Sequence, residues 1–298
     1  MVFAAGPRAT RRENQIWQRF FSELRRSGYV EGNNLVVEVL SAGGHFERHA
    51  DVARQAVSRS PDVIVAQGNS LVVILRSATA AIPIVAIMVD PLDSGLVASL
   101  ARRPGDNLTG VSIDAGVEIL GKRLEILKQA IPSAARIGIL GTLLQPPNQL
   151  QLLQEAGAAL GVSLIETSLS EVTEPEIEHS LAALAERRVD AVLISPEGEF
   201  SAHHRLIVEL AERHRLPAMY NFRSFVEAGG LMAYAPDLAE LGRQMADDVH
   251  QILNGAKPGD IPIYQATKFQ LIINLKAANA LDLTLPRSLL LLADEVIE

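Results

Sequence analysis

From residue 34 almost to its carboxyl end, the chain alternates short aliphatic runs with longer amphipathic stretches, and few architectures accept that alternation. NLVVEVL (34–40), DVIVAQG (62–68), IPIVAIM (82–88) and NLTGVSI (107–113) are rich in branched aliphatics and end at polar or small residues, so they read as strands. Helical patterns cover 45–58 and 70–80 between them. Val117, Leu120, Leu124 and Leu127 recur every three to four residues and predict a helix over 117–130 with one buried stripe. The exchange then restarts with strands at 136–140, 162–167, 190–195, 217–220 and 229–235 and helices over 149–160, 174–187 and 202–214. A helix over 238–253 is stopped by Gly255, strand FQLIINL (269–275) follows, and a short helix comes last.

Strands this uniformly apolar are buried on both faces, which requires parallel pairing with helices above and below the sheet. Hydrophobic residues make up 48% of the chain but aromatics only 4%, so aliphatic side chains must fill those layers. Two series of βα units predict an α/β protein of two similar lobes with parallel sheets, one over 1–113 and the other over 114–236.

A formal net charge of −8 argues against nucleic acid or an anionic membrane as partner, since both need concentrated basic surface. Arg8, Arg11 and Arg12 form only a short basic loop. With no cysteine, thiolate chemistry, disulfides and iron–sulfur sites are excluded. No run reaches the ~18 apolar residues of a membrane span, and MVFAAGPRATRRENQ lacks the apolar core of a secretory signal. GVEILGKR (116–123) imitates a phosphate loop but ends in Arg123 instead of a hydroxyl and carries Glu118 at helical spacing. His45 and His49 lack a third ligand for a metal, and His203 and His204 diverge on a helix. Neither a nucleophile elbow nor a dinucleotide fingerprint is present. The expectation is a protein without catalytic activity, cofactor or metal.

Function is written where the strands end. Ligands of open parallel sheets sit beyond the carboxyl ends of strands, at the amino ends of the following helices. Those positions carry Gln67, Gly68, Asn69 and Ser70; Asp90 and Pro91; Gly110, Val111 and Ser112; Gly141 and Thr142; Ser195, Pro196 and Glu197; Tyr220 and Asn221; then Tyr234 and Asp237. Hydroxyls, amides, carboxylates and tyrosines in such places suit a small polar molecule, with Asp90 or Glu197 on a cationic group. Each also suits the plain role of capping the next helix.

The segments GYVEGNNLVVEV, PDVIVAQGNS, LARRPGDNLTGVS, LAERHRLPAMY, AGGLMAYAPDLAELGRQ, ILNGAKPGDIPIYQATKFQLIINLKAANALDLTLP and LLADEVIE carry a resemblance that runs from about Asn14 to Glu298. The chain resembles the bacterial ABC-transporter substrate-binding proteins that include tryptophan-binding members. The resemblance implies a periplasmic-binding-protein type I-like fold of two Rossmann-like lobes, each taking part of 237–298, closing on a small, aromatic or amino-acid-like ligand in an interlobe cleft. It also implies a membrane permease as partner, a periplasmic or cell-envelope location and a monomer without nucleic acid. Its ligand-facing residues would be Gln67, Gly68, Asn69, Ser70, Asp90, Pro91, Ser112, Thr142, Pro196, Glu197, Tyr220, Asn221 and Tyr234. Asn69-Ser70-Leu71 stands where relatives often have Thr-Pro-Ala, and the first strand is reduced to Val2–Ala5 before Gly6-Pro7. The rival readings are a ligand-sensing regulatory domain of the same fold, which would need a DNA-binding segment, and an enzyme on a doubly wound sheet.

Overall fold

A computed structural model describes residues 2–4, 15–43, 46–92, 94–103, 105–113, 117–142, 147–196 and 198–298. His45, Glu197, Gly6, Pro7 and the arginines at 8, 11 and 12 lie outside the described residues.

In chain order, the first part contains β1 (Val2–Ala4), α1 (Gln15–Arg26), β2 (Glu38–Leu40), α2 (His49–Ser58), β3 (Ile64–Gln67), α3 (Asn69–Ala78), β4 (Ile84–Met88) and β5 (Leu108–Ser112). The middle part contains α4 (Val117–Ala130), β6 (Arg136–Thr142), α5 (Pro147–Ala159), β7 (Ser163–Leu169), α6 (Glu174–Glu186), β8 (Ala191–Ile194), α7 (Gly198–Ala202), α8 (His204–Arg213), β9 (Ala218–Tyr220), α9 (Arg223–Glu227) and β10 (Met232–Pro236). Last come α10 (Leu238–Leu253), β11 (Tyr264–Gln265), β12 (Phe269–Asn274), α11 (Leu275–Ala280), α12 (Arg287–Leu292) and β13 (Glu295–Ile297).

The chain divides into two compact units, Met1–Ala115 with Asp237–Thr267 and Gly116–Pro236 with Lys268–Glu298. The first holds a six-stranded sheet in the order β11-β5-β4-β3-β1-β2, every pair parallel. The second holds seven strands in the order β13-β12-β10-β9-β8-β6-β7, parallel from β7 to β10, with β12 antiparallel to β10. Ile84–Met88 is buried at every position, as a strand covered on both faces should be.

Each unit closes its core with helices brought in from distant sequence. In the first, α10 lies against α1 so closely that a β-carbon on Gly242 would stand 2.3 Å from the Ile16 carbonyl oxygen. Ile16, Trp17, Phe20 and Leu24 form the buried stripe of α1. In the second unit, Arg223 grips Glu295 with two hydrogen bonds of 2.5 and 2.6 Å and pins β13 to α9.

The expected strand at 34–40 shortens to Glu38–Leu40. Asn34 explains why: its Oδ1 accepts from the Val30 amide at 2.7 Å and its Nδ2 donates to the Gly28 carbonyl at 2.9 Å, which folds 28–34 into a loop. The expected helix at 202–214 breaks at His203 into α7 and α8.

Candidate functional site

In the first unit the strand tips line up through the sheet register. Gln67 pairs with Ile87 and Met88 with Ser112, so Gly68, Met88, Ser112 and Gln265 share one level. Gly68 ends its strand by donating its amide to Ile87 at 3.0 Å and forms the amino cap of α3. The Asn69 side chain is committed to the frame: Nδ2 donates to the Val89 carbonyl at 2.6 Å and Oδ1 accepts the Val89 amide at 3.0 Å. It ties the tip of β3 to that of β4 across twenty residues of sequence. Ser70 Oγ lies 3.3 Å from His49 Nδ1, joining the first turns of α2 and α3. Burial lowers the pKa of that imidazole, partly offset by Glu47.

Asp90 stands in the left-handed backbone region with φ of 39°, a conformation that aspartate tolerates better than most residues. Its carbonyl accepts the Ser94 amide at 3.1 Å, while the carbonyl of buried Pro91 accepts Val97 at 2.9 Å, so the turn after β4 is held at both residues. Ser112 is fully buried. Two residues earlier, Gly110 has φ of 133°, and a β-carbon there would lie 2.1 Å from the Ala86 carbonyl oxygen. Only glycine lets β5 approach β4 this closely.

A polar knot secures this same region. Arg103 donates to the Ser99, Ala101 and Leu108 carbonyls and to Asp106 at 2.6–3.1 Å. Arg76 adds a bond of 2.6 Å to the Leu96 carbonyl and reaches Asp106 at 3.3 Å. The signal for this knot in the sequence is Asp106 three residues after Arg103.

In the second unit β10, β9, β8 and β6 are neighbours and end side by side. Ala233 pairs with Tyr220, Met219 with Leu193 and Ile194 with Leu140, so Tyr234, Asn221, Ser195 and Gly141 form one level. Thr142 is level with Pro196 one step beyond, and both are buried. Ser195 Oγ donates to the Leu140 carbonyl at 3.0 Å. Asn221, 1% exposed, donates Nδ2 to the Ile194 carbonyl at 2.7 Å, but among the described residues its Oδ1 meets no donor. The buried Thr142 hydroxyl likewise has no partner there.

The two tyrosines differ. Tyr220 is 1% exposed, with its ring stacked on Phe225 at 4.8 Å and 16°. Burial, reinforced by the Glu212 charge, raises its phenol pKa well above the ordinary value. A cavity of about 30 Å³ beside it, lined by Glu212, Gly230 and Leu281 among others, has room for water alone. Half-buried Tyr234 stacks on Phe269 at 5.4 Å, and its carbonyl accepts a 3.0 Å hydrogen bond from Arg123 Nε. Arg123, 1% exposed, therefore brings a guanidinium to the tip of β10 from within α4, the helix that contains the GVEILGKR run from Val117 onward. Asp237 is spent on capping α10, accepting the Ala239 and Glu240 amides at 3.0 and 3.1 Å.

Neither a helix long and apolar enough to cross a membrane nor a cluster of three metal-ligating acidic or histidine side chains occurs among the described residues.

Residues 13–297 match the family described as ABC transporter substrate binding protein. The chain is 25% identical over 267 residues to the tyrosine-binding protein of Clostridioides difficile strain R20291, covering 89% of this chain and 75% of that protein. A conserved domain protein from Vibrio cholerae has a similar solved structure, with TM-score 0.89, 27% identity, and coverage of 99% of this chain and 98% of that one. An ABC domain from Streptococcus pneumonia, solved in complex with L-Trp, shares the fold with TM-score 0.88 at 24% identity, over 99% of this chain and 98% of its own. These likenesses bear out the expected type I periplasmic-binding-protein architecture.

Proposed function

The chain belongs to the ABC transporter substrate-binding protein family, and from that premise we propose that it captures an aromatic amino acid for import through a membrane permease. Members of this family are substrate-binding proteins, not enzymes, and typically work outside the cytoplasm. The observation that carries the reading is the extent of the family match: residues 13–297 run through both units, so both rows of strand tips lie inside it. The tyrosine named in one relative and the tryptophan bound in a structural neighbour supply the ligand class.

In this proposal Gln67, Gly68, Ser70, Asp90, Pro91 and Ser112 form the contact surface of the first unit, with Asn69 as the clamp behind it. Thr142, Pro196, Glu197, Asn221 and Tyr234 form that of the second, with Tyr220 as its packed support. Asp90 takes the ammonium group of the ligand, an ion pair strengthened by removal from water. The protein acts as a monomer, exported from the cytoplasm, without cofactor or catalytic step.

A thermal-shift series with the twenty amino acids tests this. A ligand at a hundred times its Kd stabilises a binding protein by about 2.7 kcal/mol, so tyrosine or tryptophan should raise the melting temperature by several degrees while most others leave it unchanged. Asp90→Ala should cost about 1–3 kcal/mol of affinity. A flat response to every aromatic amino acid would remove the ligand class.

A further inference from the structure

The row of tips in the second unit contains a buried acceptor whose chemistry is settled by its surroundings. Asn221 has one amide nitrogen and one carbonyl oxygen, and the 2.7 Å bond to the Ile194 carbonyl assigns the nitrogen to the β8 side. The remaining Oδ1 can only accept, and in a side chain 1% exposed it is without a donor among the described residues. Leaving such a group unmet is costly, whereas a ligand that brings a hydrogen to it recovers that cost on binding.

The kind of donor follows from the neighbouring strand. Tyr234 is level with Asn221, one strand spacing of ~5 Å away, and its carbonyl holds the Nε of Arg123 at 3.0 Å. A guanidinium stays protonated at every pH the protein meets. An ammonium group entering beside it would meet a like charge. A neutral O–H or N–H would not. Resting on the aromatic amino acid of the preceding section, we infer that Asn221 Oδ1 accepts the side-chain hydrogen of the ligand, a phenol O–H or an indole N–H. Asn221 is thus the residue that separates tyrosine and tryptophan from phenylalanine.

A site built around a hydrogen bond rejects the ligand that lacks it more strongly than an apolar pocket rejects an extra hydroxyl, because the buried partner is left bare. Calorimetric titration of the intact protein with L-tyrosine, L-tryptophan and L-phenylalanine reads this directly. The better of the first two should bind at least about tenfold tighter than phenylalanine. Asn221→Leu, similar in size but without an acceptor, should bring that ratio close to one, with folding checked by its melting curve. If the variant does not fold, the ratio in the unmodified protein remains the test. Binding of phenylalanine as tight as that of tyrosine and tryptophan overturns the role of Asn221 while leaving the ligand class intact. An unchanged ratio in a folded Asn221→Leu does the same. Failure of all three to bind overturns both.

Discussion

The two units are built alike and finish their strands differently. In the first, the tips are locked by the protein's own polar groups: Asn69 binds both backbone atoms of Val89, and Arg103, Arg76 and Asp106 hold the loop after β4. In the second, Asn221 and Thr142 each leave a buried oxygen at the tips without a partner among the described residues. In the first unit, among the described residues, an oxygen of Asp248 in the middle of α10 is buried without a hydrogen-bond partner, away from the strand ends. A tip satisfied from within is a rigid frame, and a tip with open valences is where a guest gains most by arriving.

Substituting Gly110 should disturb the frame most. Gly110→Ala places a β-carbon on a backbone oxygen between two central strands, with φ of 133° that alanine resists. More than about 4 kcal/mol of stability should be lost, measured as a fall in the urea midpoint. An effect below 1 kcal/mol would mean that β4 and β5 do not approach this closely. Arg103→Ala comes next. It strips four hydrogen bonds from the loop after β4 and leaves Asp106 with Arg76 and the Leu108 amide, at a cost of about 3 kcal/mol. A loss no larger than that of an exposed ion pair would make the knot ornamental.

Asp248 extends the contrast to pH. Its pKa is pushed up to about 7, chiefly by burial and secondarily by Asp247, against the opposing pull of Gln244 and Arg243. The folded state therefore holds a proton that the unfolded chain releases near pH 4. Stability falls as pH rises from about 4 to 7 and stays low above that. Asp248→Asn should stabilise the protein by about 1–3 kcal/mol at pH 8 and have almost no effect at pH 4. Urea denaturation at the two pH values checks the sign, and an equal effect at both would place Asp248 in an aqueous setting.

Much of this frame was legible beforehand because its signals are local. Residues 64–66 and Ile84–Met88 are continuous apolar runs, and parallel burial leaves them no other reading. The helix α1 carries an equally plain stripe in Ile16, Trp17, Phe20 and Leu24, but it lies upstream of the alternation that starts at 34. β11 and β13, two and three residues long, have no period to detect. At the site, the position of each tip could be read but not its allegiance. Asn69 is spent on a backbone unit twenty residues away, and Tyr220 turns into the core with Phe225; neither fact is local in sequence. Arg123 reads in sequence only as a flaw in a phosphate loop, since nothing nearby announces that it reaches Tyr234, 111 residues on.

The smallest effect gives the sharpest test, because one substitution should change sign between the units. Thr109 in β5 is fully buried, and its hydroxyl donates to the Ile261 carbonyl at 3.0 Å. Thr142 at the end of β6 is also buried, and its hydroxyl has no partner among the described residues. Valine keeps the branched shape of threonine and replaces the hydroxyl by a methyl. At 109 the change breaks a bond and strands a carbonyl, so stability should fall by about 1–2 kcal/mol. At 142 it removes an unmet polar group, so stability should rise by up to about 1 kcal/mol. Paired denaturation curves measured without ligand decide the matter. Two losses of equal size would mean that the Thr142 hydroxyl is already satisfied, and the second unit's tips would then be as closed as the first's.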